Sequence, residues 1–203
     1  ESGPEFTHQQ AVTAGLGSSS FGVSDADFLY GQQLLVARTI IEKELPQLQR
    51  LQRKDLQVLS EDITGLFLNY LNANYHLTTR ELEFFREVLP AALEQQVHSQ
   101  IPASILVARA AALSDFGSYA DNHNFYQQQN SGKPVRYMSA RHSVRDYALN
   151  LSTSHKYAPL FTSGKNYKSW INKIQELECG ELADCTEAMQ QVIDTYNLSL
   201  LDF

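Results

Sequence analysis

No stretch of 18 apolar residues occurs in this 203-residue chain, so nothing in it reads as a membrane-spanning helix. Positive charge is scarce: 16 Lys and Arg face 23 Asp and Glu, for a formal charge of −7. No basic stripe stands out, so a nucleic-acid partner is not expected. There are only two cysteines, Cys179 and Cys185, too few for a disulfide framework. Zinc would need two more ligands, and no histidine lies at finger spacing from them. The six histidines, His8, His76, His98, His123, His142 and His155, form no His-x-x-x-His pair, and no metal is expected. Serine and cysteine nucleophile motifs are missing too. Gly15-Leu-Gly17 lacks a third glycine and a preceding strand, so no dinucleotide or other cofactor is expected.

What is present can fill a core. Hydrophobic residues make up 43% of the chain, with 10 Phe, 10 Tyr and one Trp, which excludes wholesale disorder. Residues 1–6 read as a protease-site and cloning remnant, and residues 7–23 as a flexible leader rich in Gly, Ser, Ala and Gln. The chain does not begin with Met. Its natural start, with any signal peptide or membrane anchor, is expected upstream, and membrane contact only through that segment.

From Ser24 the pattern is helical. Ser24 and Asp25 cap a first helix expected to stop near Leu45, where Pro46 breaks or kinks it. Leu45, Leu48, Leu56, Leu59, Ile63, Leu66 and Tyr70 mostly step by three or four, which predicts one long amphipathic helix. Gln47, Gln49, Gln52 and Gln57 beside this stripe read as a solvent-facing side or a face for a neighbouring subunit. Thr79 offers the next N-cap, and Leu82, Phe85, Leu89 and Leu93 stripe that helix. Residues 105–113 are apolar all round, the mark of a buried helix, with Arg109 as the one charge that must find solvent or a partner. Residues 114–142 are polar and aromatic and read as loop with a short hairpin within 125–138. Helices then resume, capped by Ser143, running through 165–177, and capped by Thr186. Arg136, Arg141 and Arg145 form a local basic cluster, either solvated and paired with Asp146 or facing an acidic partner. The aromatics Phe116, Tyr119, Phe125, Tyr126 and Tyr137 either fill the core under the loop or line a sugar groove. The two cysteines read as free buried thiols or as a local disulfide.

The run Ile-Pro-Ala-Ser-Ile-Leu-Val-Ala-Arg-Ala-Ala-Ala-Leu-Ser-Asp-Phe-Gly at 101–117 resembles a signature of bacterial glucosaminidases of glycoside hydrolase family 73, above all the Bax-like branch. That branch reads Ile-Pro-x-Ser-Leu-x-Leu-Ala-Gln-Ala-Ala-x-Glu-Ser-Gly-Trp-Gly there. Val144, Tyr147, Asn150, Leu151, Thr153 and Tyr157 match its Val-x-x-Tyr-x-x-Asn-Leu-x-Thr motif and following Tyr. Ile193, Asn197, Leu198, Leu201 and Asp202 are similar to its terminal helix and tail. The resemblance covers about residues 35–203.

It implies a mainly α, lysozyme-like glucosaminidase fold with a helical N-terminal lead-in and a small irregular or β-hairpin lobe. The expected organisation is a linker over 1–23 and one domain over 24–203, with the lead-in at 24–98 and the core at 99–203. Enzymes of this type cut peptidoglycan glycans with a protonated carboxylic acid at the end of the buried helix. Here Leu113 stands at the acid position, and losing general-acid catalysis costs roughly 10²–10⁴ in rate. Asp115 and Asp121 are the candidate substitutes. The family's Asn-Asn-x-Phe-Gly becomes Asn122-His123-Asn124-Phe125-Tyr126. Phe116, Tyr119, Asn122, Phe125, Tyr126, Tyr137, Tyr147 and Tyr157 are the candidate groove residues. The expectation is a non-catalytic module of the bacterial cell envelope or periplasm, with peptidoglycan and an envelope protein as partners. A secretion, pilus or flagellar assembly is the setting. The alternatives are an active hydrolase with a relocated Asp and a peptidoglycan binder that does not cut. Export, as the resemblance implies it, makes a Cys179–Cys185 disulfide the expected state.

Overall fold

The computed structural model describes residues 25–48, 50, 52–180 and 185–203. The expected leader over 1–23, the Ser24 cap and Gly15-Leu-Gly17 lie outside these residues. Among the described residues seven α-helices follow one another: α1 (Asp25–Leu48), α2 (Arg53–Asn74), α3 (Thr79–Ser99), α4 (Ala103–Ser114), α5 (Ala140–Thr153), α6 (Tyr167–Ile174) and α7 (Glu187–Tyr196). Each of the first three helices packs on the next, α3 carries α4 and α5, and α4 packs on α7.

The helix break expected at Pro46 falls slightly later in the chain. α1 continues two residues past the proline, and a new helix opens at Arg53. A proline in the last turn removes a single backbone hydrogen bond, so the helix runs out shortly after it rather than at it. Along α2 the buried positions Leu56, Ser60, Ile63, Thr64, Phe67, Tyr70 and Leu71 repeat at helical spacing. The aliphatic hydroxyls of Ser60 and Thr64 bond back to the carbonyls of Leu56 (2.8 Å) and Ser60 (2.7 Å), so burial leaves neither unsatisfied. The cap of α3 is Thr78, one residue before the Thr79 expected. Thr78 Oγ1 accepts from the Glu81 N–H and the Glu81 carboxylate accepts from Thr78 N–H, a reciprocal box.

α4 is the buried centre, with nine of its twelve residues out of solvent. Its N-cap is Pro102, whose side chain accepts nothing, so distant side chains satisfy the exposed donors of its first turn. Ala103 N–H donates to Gln96 Oε1 (2.9 Å), and Ser104 N–H to Asp202 Oδ1 (2.8 Å). Gln96 also donates to the Leu201 carbonyl (2.9 Å), which fastens the C-terminal tail beside the helix it caps.

The polar lobe holds one hairpin, smaller than expected. β1 (Gln129–Asn130) pairs antiparallel with β2 (Lys133–Pro134), in register Gln129 with Pro134 and Asn130 with Lys133. Ser131 and Gly132 turn it with φ of 52° and 76°, the left-handed pair that a tight two-residue hairpin requires. α5 begins at Ala140 behind Ser139, earlier than the expected Ser143 cap, because Ser143 is buried inside the helix and bonds the Ala140 carbonyl. After α6, a π-helical turn spans Gln175–Cys179. Thr186 precedes α7 as expected, but its hydroxyl donates to Gln175 Oε1 (3.3 Å) instead of capping the helix.

Candidate functional site

The last turn of α4 carries Leu113, half-buried and packed against the core. One turn earlier on the same face is Arg109. Its partner is Glu178, on the π-helical turn: Arg109 Nη2 and Glu178 Oε2 form a salt bridge with both side chains largely out of solvent. Glu178 Oε1 accepts from the Tyr157 hydroxyl (3.1 Å), so both carboxylate oxygens are engaged. Arg109 Nη1 also meets Met189 Sδ on α7 at 3.8 Å. Burial alone would lower the guanidinium's pKa, but the charge of Glu178 and its hydrogen bond oppose this, and the group sits above its ordinary value. Sequence reasoning missed Glu178. The available signal was Arg109 itself, a cation on a buried helix that had to be matched.

Next to this pair lies an aromatic stack. The rings of Tyr126 and Tyr147 lie 4.1 Å apart and nearly parallel, and the Tyr126 hydroxyl donates to the Leu106 carbonyl on α4 (3.0 Å). Burial keeps the phenols of Tyr126 and Tyr147 well above their usual pKa, and burial with the adjacent Glu178 does the same for Tyr157. All three stay neutral at physiological pH. The Tyr147 hydroxyl and Arg109 Nε are both buried beside this stack, and neither meets full hydrogen-bond geometry with a partner among the described residues.

The groove candidates therefore separate. Phe125, Tyr126 and Tyr147 are buried, and Phe116 is half-buried with its ring edge-on to Phe84, Phe85 and Tyr196. These four rings fill the core under the loop. Phe116, Asn122 and Phe125 nevertheless border one cavity of about 300 Å³, together with Arg80, Glu83, Glu87 and His123. His123 Nδ1 lies 3.5 Å from Glu87 Oε2 there. Asn122 is exposed with a left-handed φ of 53°. Tyr137 donates to Asp146 Oδ2 (2.6 Å), Tyr157 is half-buried, and Tyr119 is 68% exposed. The chain brings together two groups, Tyr126, Tyr147 and Tyr157 around Arg109–Glu178, and Phe116, Asn122 and Phe125 around the cavity.

The candidate replacement acids are held elsewhere. Asp115 is the residue that ends α4, with φ 47°, and its exposed carboxylate lies 3.6 Å from Arg80 Nη1 and accepts from Ser118 Oγ (3.1 Å). Asp121 opens a short 3₁₀ turn (Asp121–His123) and is exposed, with no ion pair among the described residues. Among the described residues no group of His, Cys, Asp and Glu could hold a metal ion.

Cys179 and Cys185 are paired as a disulfide, with Cα atoms 6.2 Å apart. The first follows Glu178 directly, so the bridge ties down the turn that carries the Arg109 partner. Asp184, between the two cysteines in sequence, lies outside the described residues.

A family model described as glucosaminidase, mannosyl-glycoprotein endo-beta-N-acetylglucosaminidase, matches residues 89–198. The match begins inside α3 and takes in α4, the lobe, α5, α6 and α7. No curated protein and no solved structure gives a match.

Proposed function

The chain belongs to the glucosaminidase family, with its mainly helical, lysozyme-like fold, and from that premise we propose that it is a non-catalytic module of the bacterial cell envelope. A glycoside-hydrolase-type domain of this family has a peptidoglycan-related function. The observation that carries the reading is the end of α4. Leu113 occupies the last turn, where the family resemblance calls for the acid, and a leucine neither gives nor takes a proton. The carboxylate that reaches the neighbouring turn, Glu178, has both oxygens committed to Arg109 and Tyr157. A general acid must arrive protonated and free to meet the glycosidic oxygen. This one is neither placed nor free to do so.

The role is structural or interactive, in an envelope assembly that passes the peptidoglycan layer, such as a secretion, pilus or flagellar apparatus. We read residues 24–203 as one domain, with the lead-in at 24–98 supporting the core at 99–203. No helix among the described residues is long and apolar enough to cross a membrane. Incubation with purified sacculi should release no muropeptides. Release that disappears on Asp115→Asn or Asp121→Asn would overturn this reading in favour of a relocated acid.

Tyr119 favours a second reading, a peptidoglycan binder that does not cut. Its ring is 68% exposed on the lobe, and flat aromatic faces stack on sugars. Co-sedimentation with insoluble peptidoglycan that is lost on Tyr119→Ala would establish it.

A further inference from the structure

The basic cluster read from the sequence as Arg136, Arg141 and Arg145 is regrouped by the fold. Arg141 and Arg145 on α5 meet Arg53 on α2 and His98 on α3 around one cavity of about 350 Å³, which Leu56, Glu94 and Gln95 complete. Arg136 does not border it. None of the groove candidates borders it either. In a chain of net charge −7, three arginines from two helices thus face one carboxylate.

That carboxylate does not neutralise the site. Glu94 Oε1 bonds Arg141 Nη2 (2.8 Å), while Arg141 Nε has no hydrogen-bond partner among the described residues. Arg53 and Arg145 are exposed and in no salt bridge among the described residues. Two of the arginines also stand where helices disfavour cations. Arg53 opens α2 and Arg141 is the second residue of α5, both at the positive ends of their helix dipoles. Helix stability does not account for them there. An anion in the cleft would meet both arginines at once.

We propose that this cleft between α2, α3 and α5 binds a phosphoryl group. Three guanidinium groups against one glutamate leave two positive charges in excess, which matches a phosphate monoester near neutral pH. Planar guanidinium forks also pair two at a time with phosphate oxygens. The group comes from a soluble phosphomonoester or from a lipid headgroup. The site stands apart from the Leu113 region, so the proposal is independent of whether the domain cuts glycans.

The test is titration of the protein with inorganic phosphate, followed by calorimetry and by backbone amide NMR. The expected result is saturable one-to-one binding with a Kd of about 1 mM, with shifts confined to Arg53, residues 94–98 and residues 141–145. Arg53→Gln and Arg145→Gln should each weaken binding about tenfold, and Arg136→Gln should leave it unchanged. Both arginines are exposed, and the wild-type shift map reads the site even if a variant folds poorly. Binding of glycerol phosphate supports a soluble source, and Arg145-dependent binding to phosphatidylcholine vesicles containing phosphatidic acid supports a lipid one. Absence of saturable binding, shifts elsewhere, or equal affinity for malonate would overturn the assignment.

Discussion

Arg109 decides what an acid at position 113 can do. The two positions are four apart on one helix, close enough for their side chains to meet. A glutamate introduced at 113 would compete with Glu178 for the guanidinium and be held as a charged partner, the wrong form for a general acid. Leu113→Glu alone should therefore restore no hydrolysis of sacculi, and it should cost about 1–3 kcal/mol because a polar group enters an apolar contact. Thermal melts and a muropeptide assay on the variant decide it. Robust hydrolysis would mean that only the acid had been lost and the groove is intact. The pair itself makes a sharper prediction. Glu178→Ala leaves a largely buried guanidinium without its carboxylate and should destabilise the fold by about 3 kcal/mol. The double variant Arg109→Met, Glu178→Leu should recover most of that loss, since a packed apolar pair needs no counter-charge. Urea denaturation of the two variants provides the comparison.

At the level of elements, α4 depends on a cap that comes from the far end of the chain. Asp202 is buried, accepts from Ser104 N–H and bonds Ser104 Oγ (2.6 Å). Burial pushes its carboxyl from the ordinary 3.8 up to about 7, against the pull of the Ser104 hydrogen bonds. Between these values the folded chain keeps a proton that the unfolded chain has released. This group therefore makes stability fall as pH rises from about 4 to about 7, and contributes no pH dependence outside that window. The effect is on the order of 4 kcal/mol. The urea midpoint should be lower above the window than below it, and Asp202→Asn should flatten the difference. An unchanged pH profile in that variant would show that Asp202 is not the group responsible.

For the molecule as a whole, the bridge between Cys179 and Cys185 links fold to compartment. It closes a short loop and stabilises by roughly 2–3 kcal/mol on the chain-entropy picture. It also anchors the turn that presents Glu178, so reduction should loosen the Arg109 partner as well as lower the melting temperature. If the proposed envelope location holds, the protein recovered from its native compartment, alkylated without reductant and weighed by mass spectrometry, should show no free thiol. Two free thiols would leave the proposed location resting on family membership alone. The charge distribution matters at the same scale. A net charge of −7 hides a cleft of opposite sign, because two helices bring Arg53, Arg141 and Arg145 together from 92 positions of sequence.

The helical class, the buried α4 and the small lobe were legible in the sequence, because apolar spacing and all-round apolarity are local properties of the chain. So was Arg109's need for a partner. The partner itself was not legible: Glu178 lies 69 residues away, and only the packing of the π-helical turn on α4 brings it there. Helix ends slipped by a few residues, at Thr78, Ser139 and Pro46, since several neighbouring residues can cap or stop a helix and tertiary contacts choose among them. The aromatics of the lobe carried both a core and a groove meaning in sequence. Tertiary structure decided most of them for the core, because Tyr126 found a carbonyl on α4 and a ring to stack on, and Phe116 found three aromatic neighbours. Local pattern determined which segments are helices, and long-range packing determined which charges and rings meet.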